Sequence, residues 1–205
     1  MQSALFEPQN LPQLPEPGLI EHWILESPLP LALSCFAIGI IVFGSLRHTK
    51  NNTRIGLPTL GFTLLLAAGV LLIGQLITTD REHLKARSAQ LVQAASTGDQ
   101  QALGNLLADQ VRINASFVTQ VGKERIITLA VSRAAPMIES ASTKEVRAGI
   151  DGPLIARTHI KIKVKADMVP PSSWWLIEWT KPNPESTDWV ATHIEPLWIQ
   201  GFTNP

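Results

Sequence analysis

Two uncharged, apolar stretches dominate the first 79 residues of the chain. Leu29 to Leu46 contains no charged residue, and Ile55 to Thr79 contains none either. At a rise of about 1.5 Å per residue, helices of these lengths would extend roughly 27 Å and 37 Å, against about 30 Å for the hydrocarbon core of a bilayer. Helices buried in soluble domains are usually shorter and keep one polar face. We therefore predict two transmembrane helices, at residues 29–46 and 55–79.

Basic residues concentrate in the connector between these two stretches. Residues 47–54 contain Arg47, Lys50 and Arg54, whereas residues 1–28 contain four glutamates and neither Lys nor Arg. Because cytoplasmic loops are enriched in Lys and Arg, we expect the connector in the cytoplasm. More basic residues follow the second stretch closely, so this orientation depends on charge density rather than on total count. The sequence thus predicts an integral membrane protein whose N-terminus and C-terminal domain are both extracytoplasmic.

Residues 1–28 form a proline-rich tail. Its prolines disfavour a helix and favour an extended, solvated chain; they are Pro8, Pro12, Pro15 and Pro17. From Gly18 to Glu26, four apolar residues share one face at helical spacing, and Trp23 would lie at the level of the lipid headgroups. This pattern predicts a short interfacial helix on the membrane. A flexible tail with a few apolar residues is the alternative.

A helical pattern continues beyond the second apolar stretch. Apolar residues recur at a spacing near 3.6 from Leu84 to Ala95, and neither glycine nor proline lies between Gln75 and Thr97. We therefore expect one continuous helix from about Leu57 to Thr97. Its weak point is at residues 78–80, where Thr or Asp could cap a fresh helix.

Two shorter helices and a strand come next. Asp99 has the position of an N-cap ahead of a short amphipathic helix. Val111 to Val118 has the pattern of an extended stretch, and Gly122 opens a third helical segment that ends at Pro136. The chain thus places three helices ahead of a region with strand patterns alone.

Beyond residue 143, apolar and polar residues alternate with the period of two that marks half-buried strands. One strand ends at an Asp151–Gly152 turn, and the next, around His159 to Lys165, turns its lysines to water. Two further strands are predicted from Trp174 to Thr180 and from Trp189 to Ile199, after proline-containing turns. These strands predict an antiparallel meander, and hence an α+β domain of roughly 125 residues, within the usual size of a domain.

Three short motifs carry a family resemblance. Residues 95–99 read Ala-Ser-Thr-Gly-Asp, residues 103–109 hold a Leu-Leu pair and an acid ahead of a strand valine, and residues 122–126 open a helix with Gly-Lys-Glu. With the order of the elements, they resemble the nuclear-transport-factor-two-like fold, also called the cystatin-like or polyketide-cyclase-like cone. The resemblance covers about Arg81 to Phe202. It implies that residues 80–205 form a cone of three helices packed on a curved antiparallel sheet.

Composition narrows the possible functions. The chain is 45% hydrophobic and 17% charged, with a formal net charge of zero. Nucleic-acid binding needs a concentrated basic surface, so we exclude nucleic acid as a partner. The single cysteine, Cys35, lies in the first apolar stretch and permits neither a disulfide within the chain nor a cysteine-based zinc site. We expect no cofactor and no bound metal.

The resemblance raises the question of catalysis, because the family includes isomerases, dehydratases and cyclases that act inside the cone. Those enzymes use carboxylates, histidines or tyrosines, and this chain has no tyrosine. Weak catalytic candidates on predicted strands are His159, Glu178, His193 and Glu195. His193 and Glu195 share one side of a strand, where the acid could orient the histidine or both could hold a metal, although such a pair is more often a polar face. Glu178 lies among Trp and Leu, where a carboxylate would have a raised pKa unless it reaches water at an edge.

Five tryptophans fall in the final 32 residues: Trp174, Trp175, Trp179, Trp189 and Trp198. The adjacent Trp174 and Trp175 must face opposite sides of one strand, so both sides need an apolar cover. Three helices cover one side. We predict that the other mediates interaction with a second copy, making a homo-oligomer, or with a membrane protein partner. The alternative is that all five belong to the domain core.

Together these patterns predict a non-enzymatic binding or assembly domain anchored in the lipid bilayer. The runner-up is a membrane-tethered enzyme that acts on a small apolar molecule in the cone. A third possibility is a secretion-apparatus component, since assembly proteins of type IV secretion systems have a similar cone behind a membrane anchor, usually with a single span. An open cone that converges on His193, Glu178 or His159 would favour the enzyme, and a cone filled by tryptophan would favour the binding domain.

Overall fold

The computed structural model describes residues 11–16, 18, 28–48, 61–69, 71–72, 79–115, 118–167 and 169–202. The chain divides into two compact units. The apolar unit is Pro17–Thr79, and the globular unit joins Met1–Glu16 to Asp80–Pro205. The chain therefore leaves the globular unit after residue 16 and rejoins it at residue 80.

The apolar unit contains helix α1, Pro28–His48, and helical residues at 61–69 and 71–72, which we call α2. Most of the large apolar side chains that the structure describes in this unit are exposed, from Leu29 (62%) in α1 to Leu65 (73%) in α2. The two helices pack closely at Gly39, where a Cβ atom would overlap the side chain of Thr63. Within the described ranges, no helix combines the length and the apolar character needed to cross a membrane.

Several sequence predictions fall on residues outside the described ranges. The proposed interfacial helix lies almost entirely there, as do most of the basic connector and much of the second predicted span. The predicted first span, residues 29–46, lies within α1. Two membrane-spanning helices therefore stay a prediction.

The helices of the globular unit follow the predicted order. They are α3 (Asp80–Thr97), α4 (Gln100–Leu106), α5 (Lys123–Leu129) and α6 (Ala135–Met137), with a π-helical turn at Ala130–Ala134 that joins the last two. Asp99 is the N-cap of α4, as predicted, since its carboxylate accepts a hydrogen bond of 3.0 Å from the amide of Ala102.

The predicted continuous helix from about Leu57 to Thr97 is wrong. Helix α3 begins at Asp80, and Thr79 is not helical. Two acids in the first turn, Asp80 and Glu82, favour a helix start at this point because they complement the positive end of the helix dipole. The absence of glycine and proline did not reveal this boundary.

Among the described residues, six strands form one sheet. They are β1 (Leu107–Ala115), β2 (Val118–Val121), β3 (Ser140–Gly152), β4 (Ile155–Lys165), β5 (Ser172–Thr180) and β6 (Val190–Ile199), in the spatial order β2-β1-β6-β5-β4-β3. Strands β3 to β6 form the predicted meander. However, β6 then pairs with β1 in parallel, so the sheet is mixed rather than antiparallel. Alternation along a strand shows which face is buried but not which strand lies beside it.

The two faces of the sheet differ in chemistry. The helix face packs against α3 to α5 and contributes the core, including Ile160, Ile177 and Ala191. The outer face carries the alternate residues. Cross-strand pairing places Glu178 of β5 opposite both Arg157 of β4 and His193 of β6. The candidate catalytic residues and the hydrophobic core thus lie on opposite faces of the sheet.

Candidate functional site

Tryptophans occupy the space between the helices and the sheet. Trp179 and Trp189 are fully buried there, and the partly exposed Trp175 packs against the same core. Trp179 donates a hydrogen bond of 2.9 Å to the hydroxyl of Thr158, which lies 3.0 Å from the hydroxyl of Ser88 on α3. The ring of Trp179 thus packs in the core while its indole N–H has a hydrogen-bond acceptor, as a buried indole requires.

A second polar cluster surrounds Trp189 at the start of α3. The indole N–H of Trp189 donates to Asp80 Oδ1 over 3.2 Å, and Lys181 Nζ lies 4.8 Å from the centre of the Trp189 ring. Lys181 also donates to Asp80 Oδ2 and to the carbonyl of Pro184, each over 2.8 Å. The hydrogen bonds of Asp80 to Lys181 and Trp189 therefore hold the start of α3 against the sheet.

All four catalytic candidates lie on the outer face rather than inside the cone. His193 Nε2 is 3.3 Å from Glu195 Oε2, so the structure brings this predicted pair together. His159 lies on β4 opposite Arg147 and Leu176. Because the helix face has a separate, filled core, these groups do not converge on an enclosed pocket.

The surroundings of Glu178 are charged, which corrects the expectation of an apolar wall. Its cross-strand neighbours are Arg157 and His193. Arg157 makes two hydrogen bonds, of 2.8 and 2.6 Å, to the carboxylate of Asp151. The hydrogen bond to Asp151 raises the pKa of Arg157, against the opposing effect of burial, and Glu178 adds a smaller favourable attraction. Glu178 therefore belongs to a row of alternating charges across the sheet.

His159 is the most deeply buried of the candidates. It is 1% exposed, and its Nε2 atom has no hydrogen-bond partner among the described residues. Burial lowers the pKa of His159, and the positive charges of Arg147 and Arg157 lower it further. The lowered pKa favours the neutral imidazole, and no carboxylate among the described residues bonds to its Nε2 atom as it would to orient a general base.

The tryptophans divide into two groups. Trp174, Trp179 and Trp189 are at most 1% exposed, whereas Trp175 and Trp198 are partly exposed. Trp174 belongs to the outer face, where Trp198 is its partner on the neighbouring strand. Arg147 Cζ and Lys161 Nζ lie 5.3 and 5.8 Å from the centre of the Trp174 ring. Of the five predicted interaction residues, Trp198 is the one that remains accessible on the outer face.

Two surface depressions lie away from these residues. One, of about 590 Å³, runs between α3 and α4 and is lined by polar side chains that include His83, Gln90 and Asp99. The other, of about 460 Å³, lies at the end of β3 to β5 and includes Lys144 and Lys163. No group of three His, Cys, Asp or Glu side chains converges as a metal site in the part of the chain that the structure describes.

Sequence reasoning missed one contact, between the proline-rich tail and the globular unit. Arg81 donates to the carbonyls of Pro15 and Ala148, and Leu14 and Pro15 lie directly over Gly149. The prolines predicted an extended, solvated tail, but Leu14 and Pro15 pack against the globular unit. A signal was available, because Gly149 interrupts the charged residues at alternate positions along β3.

Solved structures are similar to this globular unit in fold. A nuclear-transport-factor-two-like superfamily protein from Salmonella enterica serovar Typhimurium aligns with a TM-score of 0.50 at 9% identity, covering 60% of this chain and 94% of that one. A nuclear-transport-factor-two-like protein from Cytophaga hutchinsonii aligns at 0.48 and 17% identity, covering 60% and 100%. A domain of unknown function with a cystatin-like fold from Nostoc punctiforme aligns at 0.48 and 14% identity, covering 62% and 81%.

No protein-family model matches the chain, and no curated protein matches it in sequence. At the identities of the solved structures, the likeness concerns the fold alone. The globular unit has the nuclear-transport-factor-two-like fold that the sequence motifs predicted. The mixed six-stranded sheet with helices on one face is the structural basis of that assignment.

Proposed function

We propose that this protein is a membrane-anchored, non-enzymatic assembly protein that associates through the outer face of its nuclear-transport-factor-two-like domain. The observation that carries the proposal is the filled cone. Trp179 and Trp189 occupy the space between helices and sheet, where an enzyme of this fold would need a cavity for its substrate. The four polar candidates lie instead on the outer face, where Glu178, His193 and Glu195 are partly exposed and His159 is buried.

The part of the outer face around β6 and β1 has the chemistry of a self-complementary surface. Arg112, His193 and Glu178 lie side by side on neighbouring strands, and Glu195 follows His193 on the same side. A two-fold axis through such a patch would bring acids of one copy against bases of the other. Trp198 supplies a partly exposed aromatic anchor near the same strands. A second copy is therefore the favoured partner, and a membrane protein the alternative.

Membrane anchoring is supported by the apolar unit. Its helices expose large aliphatic and aromatic side chains, which in water would be an unusually large apolar surface. The uncharged sequence also continues from α2 on both sides, from Ile55 to Thr79. Both ends of this unit join the globular unit, so any crossing of a membrane must occur an even number of times. Two crossings with the basic connector in the cytoplasm meet that requirement.

The proposal is tested by the oligomeric mass of the full chain in detergent, measured over a concentration series. We expect Trp198→Ala to weaken association by about tenfold or more, because truncating an aromatic anchor typically costs about 2 kcal/mol. Trp175→Ala, a matched change on the helix face, is expected to lower stability and leave association unchanged. A chain that is monomeric throughout the series would refute self-association.

A further inference from the structure

Strand β3 forms one edge of the sheet, and Arg81 covers part of it. An edge strand presents carbonyls and amides that lack a partner strand. The guanidinium of Arg81, in the first turn of α3, donates through Nη1 to the carbonyl of Ala148 on β3. Its Nη2 donates over 3.1 Å to the carbonyl of Pro15. Arg81 is only 5% exposed, so this bridge between tail and strand lies away from water.

Gly149 supplies the space beside this bridge. On its side of β3 the neighbouring residues are Arg147 and Asp151, which hold Glu145 and Arg157 in ion pairs of 2.7 and 2.6 Å. At Gly149 there is no side chain, and the tail occupies the gap. A Cβ atom there would lie 2.7 Å from Pro15 Cδ and 2.9 Å from Leu14 Cβ. Any other residue at position 149 would have to displace the tail.

We infer that Arg81, the carbonyl of Ala148 and the gap at Gly149 form a docking site for an extended proline-containing peptide, and that residues 11–16 of the same chain occupy it. The peptide is recognised through one carbonyl, that of Pro15, and through the flat Leu14–Pro15 surface against glycine. Proline suits this position because it lacks an N–H group that would otherwise need a partner. The site does not require the apolar unit to lie in a membrane.

Docking has a consequence for the chain as a whole. Residues 11–16 and residue 81 lie on either side of residues 17–79 in the sequence, so their contact closes that stretch of the chain into a loop. We call the docked residues 11–16, together with Arg81 and Gly149, the clasp. Because the tail belongs to the same chain, its effective concentration at the site is high, and few contacts suffice to hold it.

The clasp is tested by distance measurement between spin labels in the full chain. Labels are placed at the exposed positions Gln13→Cys and Lys144→Cys in a Cys35→Ser background. The docked tail is expected to give one narrow distance distribution. Gly149→Val should reduce the population at that distance by about tenfold, as expected for loss of a hydrogen bond to a charged group. Gly152→Val is the matched control, because a Cβ at Gly152 meets nothing within 4 Å.

A second variant keeps the test decisive if Gly149→Val misfolds. Pro15→Ser together with Leu14→Ser changes the tail alone and should produce the same loss. A narrow distribution that survives both changes, or a broad one in the parent chain, would refute the docking site. Mixing chains that carry one label each separates the two possible occupants. The same narrow distance between two chains would show that the tail comes from a second copy and would overturn docking within one chain, whereas its absence supports docking within one chain.

Discussion

Lys181 Nζ lies 2.8 Å from Asp80 Oδ2, and this contact joins residues 101 positions apart in the chain. The side chain of Lys181 is 2% exposed, whereas that of Asp80 is 36% exposed. The ammonium group also reaches the carbonyl of Pro184 and the face of Trp189. The first turn of α3 is thus fixed by a buried cation, which explains why the helix begins at Asp80.

Removing the carboxylate should destabilise the globular unit. Asp80→Asn leaves Lys181 buried without its anionic partner, and we expect the free energy of unfolding to fall by about 2 kcal/mol. Adding Lys181→Met removes the stranded charge, so the double variant should recover part of that loss. Urea denaturation followed by tryptophan fluorescence measures both. Equal losses in the single and double variants would contradict the prediction, because they would show that a Lys181 without its anionic partner does not destabilise the fold.

His159 should make the globular unit less stable in mild acid. Its pKa in the folded state is lowered from the ordinary 6.5 by burial and by two arginines. Below about pH 6.5 the unfolded chain binds a proton that the folded chain resists, so the free energy of unfolding falls as the pH falls. The slope from this one group approaches about 1.4 kcal/mol per pH unit.

The variant His159→Leu tests this origin of the pH dependence. In this variant the free energy of unfolding should change less between pH 6.5 and 5.5, because the unfolded chain no longer binds the proton of His159. His193→Gln, on the same face of the sheet, is the matched control and should retain the slope. An unchanged slope in His159→Leu would assign the effect to other groups.

The buried hydroxyl of Thr158 should contribute more than its methyl group. Thr158→Val keeps the shape but removes the acceptor for Trp179 and the partner of Ser88, so we expect a loss of about 1–3 kcal/mol. Thr158→Ser keeps the hydroxyl and should cost less. Comparison of the two unfolding midpoints gives the result, and a larger loss in the serine variant would indicate that packing outweighs the hydrogen bonds.

Local features of the fold could be predicted from the sequence because they depend on neighbours along the chain. Asp99 identifies a helix start through its own side chain, and the alternation from His159 to Lys165 identifies β4 and its water-facing lysines. The parallel pairing of β6 with β1 could not be predicted, since the two strands are about 80 residues apart and alternation carries no information on neighbours.

The candidate site was predicted only in part, for a similar reason. The His193–Glu195 pair follows from spacing along one strand, and the structure confirms their proximity. The choice between core and surface for each tryptophan depends on which face the helices cover, which spacing alone does not reveal. The contact of Pro15 with Arg81 joins parts of the chain separated by the whole apolar unit, and Gly149 marks a gap on β3 without indicating which segment fills it.

The orientation of the protein in the membrane gives the final prediction. With the connector in the cytoplasm, an exposed residue of the globular unit should react from outside, so Glu185→Cys in a Cys35→Ser background should be labelled by an impermeant thiol reagent in intact cells or spheroplasts. Asn51→Cys, in the connector, is the control and should react only after lysis. Because both ends of the apolar unit join the globular unit, the tail should share the side of Glu185, and Gln13→Cys should label like it. Labelling of Asn51→Cys but not of Glu185→Cys in intact cells would reverse the orientation, and opposite accessibility of Gln13→Cys and Glu185→Cys would exclude a two-crossing anchor.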